Sequence, residues 1–115
     1  MSAGKINLTI DQGADFSHAF QILDPQNVPI DLTGYTAKMQ ARTSFTSDVA
    51  VIDLTTENGG LDIDLATAEL TVSIPRSATA LFTFDRLVYD ILLISTADTW
   101  RLVEGQINLC RGVTR

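Results

Sequence analysis

The chain has 115 residues, 45% of them hydrophobic, with 14 acids against 8 bases, one His, one Cys and three Pro. That length fits a single domain spanning 1–115 with one core. Charged residues at 19% exclude a disordered chain, and a net charge of −6 argues against a basic grip on nucleic acid or anionic lipid. A lone Cys excludes an intrachain disulfide or thiolate cluster. The longest stretches free of Asp, Glu, Lys and Arg, Phe16 to Leu23 and Ser77 to Phe84, are eight residues each, far short of a membrane span. No apolar run follows Lys5, so the sequence predicts a soluble, unprocessed protein.

Ile, Val and Thr make up 31 of the residues, a composition suited to pleated, half-buried surfaces. Ile6, Leu8 and Ile10 alternate with Asn7 and Thr9, predicting a short first strand that turns at Asp11-Gln12-Gly13. Phe16, His18, Phe20 and Ile22 then share one face. A turn at Asp24-Pro25-Gln26-Asn27 leads to an extended Val28–Leu32, since Pro29 biases its predecessor away from helix. The cleanest alternation follows Thr33-Gly34: Tyr35, Ala37, Met39 and Ala41 point one way, and Thr36, Lys38, Gln40 and Arg42 the other. One dry and one wet face is the expected result.

Thr43 to Asp48 is polar apart from an isolated Phe45 and reads as a loop, and Val49 to Thr55 reads as a strand. Glu57-Asn58-Gly59-Gly60 is a turn signal, because Asn and Gly tolerate positive φ. Leu61, Ile63 and Leu65, then Leu70, Val72 and Ile74, predict a hairpin around Thr67. Pro75 starts the one helical piece, Arg76 to Phe82. Arg86 to Ser95 is a strand, Ala97-Asp98-Thr99 a turn, and Trp100 to Cys110 the last strand, where Glu104-Gly105 predicts a bulge or a close backbone approach. Short strands at this spacing predict an all-β fold: an antiparallel, immunoglobulin-like (Ig-like) β-sandwich of about seven to nine strands with one short helical turn.

Chemistry is scarce. His18 sits on an apolar strand face with no Gly-x-Ser-x-Gly elbow anywhere, and Cys110 ends an apolar strand, so neither reads as part of a catalytic pair. No catalytic residue and no cofactor is expected. Asp62 and Asp64 share a strand face and are the candidate cation ligands, though their spacing departs from a Ca²⁺ loop. With Trp100 as a lone aromatic, they motivate an alternative reading as a carbohydrate- or Ca²⁺-binding module. Lys38 and Arg42 are too few for nucleic-acid affinity.

The informative anomaly is Arg86 to Ser95, apolar on both faces: Leu87, Tyr89, Ile91 and Leu93 on one, Val88, Leu92 and Ile94 on the other, broken only by Asp90. A sandwich strand has one wet face, so the second set needs a cover. Either the helical turn or a barrel-like closure supplies it, or a neighbouring subunit does, with Phe82 and Phe84 extending the patch.

Certain phrases also carry a resemblance. Gln12-Gly13-Ala14-Asp15-Phe16, Val28-Pro29-Ile30-Asp31-Leu32-Thr33-Gly34-Tyr35-Thr36-Ala37 with Arg42, Thr55-Thr56-Glu57-Asn58-Gly59-Gly60, Val88-Tyr89-Asp90 and Arg101-Leu102-Val103-Glu104-Gly105 span nearly the whole chain. Together they resemble small β-sandwich proteins of tailed bacteriophages and prophages, similar to the N-terminal domain of baseplate upper proteins. The resemblance implies a scaffold without an active site. Its expected place is the virion, after synthesis in the host cytoplasm. Its expected partners are other virion proteins and copies of itself in a symmetric homo-oligomer, with no nucleic acid and no membrane. Because no stalk or fibre sequence precedes Arg115, a tail, baseplate or fibre-attachment adaptor, or a capsid decoration protein, is expected rather than a complete receptor-binding carrier.

Overall fold

The computed structural model describes residues 4–24 and 26–113. Among them nine strands form two packed sheets. They are β1 (Gly4–Lys5), β2 (Leu8–Asp11), β3 (Phe16–Gln21), β4 (Thr36–Arg42), β5 (Ile52–Thr55), β6 (Leu61–Asp64), β7 (Glu69–Ile74), β8 (Arg86–Ile94) and β9 (Thr99–Cys110). A single helical turn, α1 (Arg76–Thr79), lies between β7 and β8. The large sheet runs β1-β9-β8-β4-β5 with β2 also on β9, and the small sheet runs β3-β7-β6. This is the expected all-β sandwich with one helical turn.

One edge departs from antiparallel pairing. β1 and β2 both lie parallel to β9, with Lys5 opposite Glu104 and Leu8 opposite Ile107. Period-two alternation encodes which side chains face inward and is silent on strand direction. Between the two short strands, the Ile6 amide donates to the Glu104 carbonyl at 3.0 Å.

Packing follows the alternation. Ala37, Met39 and Ala41 of β4, Leu87, Tyr89, Ile91 and Leu93 of β8, and Val103 and Ile107 of β9 face Leu61, Leu70, Val72 and Ile74 of the small sheet. Ile10, Met39, Leu70, Leu87, Ile91, Leu93 and Ile107 are fully buried. Each such side chain contributes on the order of 1.5–3 kcal/mol relative to exposure.

Two boundaries and one bulge differ from expectation, and the single first strand expected through Ile6, Leu8 and Ile10 is instead the pair β1 and β2, with Ile6 exposed between them. β5 begins at Ile52, not Val49, because Ile52 faces Ala41 near the end of β4 and little lies beyond to pair with. Val49 and Val51 are accordingly exposed. α1 is shorter than Arg76–Phe82; past Thr79 the chain tightens, with the Leu81 and Phe82 amides bonding three residues back to Ala78 and Thr79. The register shift in β9 falls opposite the Ile91/Leu92 step, where Leu102 is the extra residue. Gly105 is the predicted close approach: a Cβ there would collide with the carbonyl oxygen of Ile6. Pro25 of the predicted turn lies outside the described residues; beyond it, Asp24 Oδ1 accepts the amides of Gln26 and Val28 at 2.9 Å, with Asn27 at φ 63°.

Candidate functional site

The outward side chains of the large sheet follow from its registers. Across β4, β8 and β9, successive rows hold Arg42, Val88 and Gln106; then Gln40, Asp90 and Glu104; then Lys38, Leu92 and Arg101; then Thr36, Ile94 and Thr99. Val88, Leu92 and Ile94 therefore form a half-buried apolar column along the middle of an otherwise polar face. Among the described residues neither of the two expected intramolecular covers, the helical turn or a barrel-like closure, lies over it. α1 packs instead on the β2–β3 turn, where the Thr79 hydroxyl donates to the Ala14 carbonyl at 2.8 Å and accepts the Gly13 amide at 3.2 Å. The large sheet stays open, with β5 at one edge and β1 and β2 at the other. What shields the column in part is its row neighbours: Lys38 and Arg101 beside Leu92, Arg42 and Gln106 beside Val88, whose aliphatic stems can lie along it.

Phe45, from the loop between β4 and β5, is the feature that sequence reading passed over. It is 86% exposed, yet it walls two open depressions of about 430 and 410 Å³ that meet at Val88 and Glu104. Its loop is anchored at the base. The Arg42 guanidinium donates through Nη1 to the Ser47 carbonyl at 3.1 Å and through Nη2 to Gln40 Oε1 at 2.9 Å. The only signal in the sequence was an aromatic residue alone in a polar loop.

The polar groups of the face are mostly paired with one another. Arg101 Nε lies 3.3 Å from Asp90 Oδ2, and Gln40 Nε2 donates to Asp53 Oδ2 at 3.3 Å. Lys38 and Glu104 make no ion pair among the described residues. An open face with an apolar column, interrupted by the Asp90–Arg101 ion pair, and an exposed aromatic ring is suited to burying another protein surface.

The remaining predicted residues fall elsewhere. Phe82 and Phe84 pack on each other, ring centroids 5.2 Å apart, and against the core, so they do not extend the Val88–Ile94 column. They alternate with exposed residues in the segment that leads into β8, and their rings turn inward. Asp62 and Asp64 are exposed on the outer face of the small sheet, opposite Thr71 and Glu69. Among the described residues no group of three His, Cys, Asp or Glu side chains is gathered closely enough to hold a metal ion. His18 is half-buried, its ring edge-on to Phe20 at 4.5 Å, in the small sheet; Cys110 is exposed in the large one. Trp100 packs on Tyr35 at 5.5 Å. No protein-family model matches this chain, and no curated protein matches it at a significant level.

Proposed function

We propose that this protein is a non-enzymatic structural subunit of a tailed-phage particle, an adaptor or scaffold of the tail, baseplate or fibre-attachment region that works by burying protein surface. The observation that carries the reading is the outer face of the large sheet, where the β8 column stays partly open and Phe45 projects beside it. A strand apolar on both faces has its second face satisfied when another surface packs on it. The phage direction comes from the sequence phrases quoted above, and avidity from many copies in a symmetric particle would multiply a modest contact.

Mass spectrometry of particles purified from cells that carry this sequence tests the reading. The expected result is the chain among the virion proteins, in fixed ratio to tail components. Its absence from intact particles overturns the proposal. Imaging of particles with the labelled subunit then separates a tail or baseplate position from a place on the capsid surface.

A further inference from the structure

We propose that the outer face of the large sheet is a two-fold interface with a second copy of this chain. The inference rests on the reading of this face as a protein-binding surface, and it names the occupant.

Charge selects the face. Every charged residue of β4, β5, β8 and β9 lies on it: Lys38, Arg42, Arg86 and Arg101 against Asp53, Asp90 and Glu104. The rest of the chain holds eleven acids and four bases. Two copies approaching through most other surfaces bring like charges together, whereas this face is close to neutral and carries the apolar column.

Register makes the face self-complementary. A two-fold axis lying across the strands between the Asp90 and Leu92 rows turns each row onto another. It sets Glu104 against the partner's Arg101, and Arg101 in turn against the partner's Glu104. The same operation lays Val88 against the partner's Ile94 at both ends of the column, and between them sets Asp90, held by Arg101 of its own chain, beside the partner's Leu92. Reciprocal contacts of this kind define an isologous interface, and two such faces pack as aligned sheets. Phe45 stands beside Val88 and Glu104, where the two-fold brings it to the Ile94 end of the partner's column.

Size is sufficient. With strands about 4.8 Å apart and about 3.3 Å per residue, β8 and β9 with the shorter β4, β5, β1 and β2 present roughly 600 Å² per copy, at the low end of the ~1,200–2,000 Å² total of a specific interface.

Light scattering on the purified chain at concentrations up to about 1 mM tests the proposal. The expected mass at the high end is twice 12.5 kDa. Phe45→Ala, at an 86% exposed position that the fold does not need, should weaken dimerisation about tenfold or more. Glu104→Arg should weaken it similarly, and adding Arg101→Glu should restore it, a rescue that a loss of folding cannot mimic. Leu81→Asp, exposed near α1, should leave the dimer intact. A monomer at every concentration overturns the proposal. So does a dimer that ignores Phe45→Ala and the charge swap, or one that Leu81→Asp abolishes. Solution mass and particle composition are independent readouts, so a monomer found in virions removes this interface and leaves the virion reading standing.

Discussion

Tyr89 donates its phenolic hydrogen to the main-chain carbonyl of Ile6 at 2.6 Å, joining residues 83 apart in the chain. To do so it crosses Gly105, which faces it in the register of β8 and β9. The bond fastens the link between β1 and β2 to the centre of the large sheet. Tyr89→Phe keeps the buried ring and removes only the donor. Urea unfolding is expected to show a loss of about 1–2 kcal/mol, the worth of a buried hydrogen bond with its acceptor left unpaired. No loss would mean that the Ile6 carbonyl is satisfied some other way.

The same phenol gives stability an alkaline dependence. Burial pushes the Tyr89 hydroxyl up to about 12 from an ordinary value of 10.0, since the charged phenolate would leave water for the protein interior. The folded value lies above the unfolded one, so the contribution is complete below about pH 10 and is lost as pH rises toward 12. Ultraviolet titration should show one tyrosine ionising late. In Tyr89→Phe that wave should vanish and the alkaline fall in stability should become shallower.

Gly105 is placed by contact. A methyl group there would strike the Ile6 carbonyl, which is main chain and cannot rotate aside. Gly105→Ala should therefore displace β1 from β9 and cost about 2 kcal/mol or more. Hydrogen exchange locates the damage: the Ile6 amide, bonded to Glu104, should lose protection first. A uniform loss across both sheets would contradict a local clash.

Thr79 is completely buried, with its hydroxyl between the Gly13 amide and the Ala14 carbonyl. Thr79→Val preserves shape and leaves both groups without that partner. Thermal and urea melts should show a destabilisation of about 1–3 kcal/mol. Thr79→Ser, which keeps the hydroxyl, should lose less.

Much of the architecture was legible wherever one strand face is dry. Ala37, Met39 and Ala41 alternate with polar residues and are buried as that pattern requires, and the β6–β7 hairpin pairs Leu61 with Val72 and Ile63 with Leu70. Direction was not legible, because Leu8 and Ile10 would alternate identically in either orientation, and their partner, β9, lies about a hundred residues away in the chain. Thr79 was missed because a buried threonine is recognisable only from its partners, and those lie in another element. At the site, Val88, Leu92 and Ile94 could be named from the two-faced character of β8. Phe45 could not, since an aromatic residue in a polar loop has no periodicity to place it. Phe82 and Phe84 were assigned to the same patch by proximity in sequence, yet they face inward, because the segment between α1 and β8 turns their rings toward the core.

The parallel run of β2 on β9 also has a mechanical meaning. Asp11 and Cys110 are neighbours at one end of the pair, while Gly4 lies at the other, opposite Val103. A tensile load applied between Gly4 and Cys110 pulls β1–β2 and β9 in opposing directions along their own length. The cross-strand bonds then resist together in shear, instead of opening one after another as in a peeled hairpin. Optical-trap stretching through these two positions should give a single high-force rupture, and pulling from Arg86 and Cys110, at the same end of an antiparallel pair, should unzip the sheet at lower force. A domain braced this way is built to carry tension along its strands.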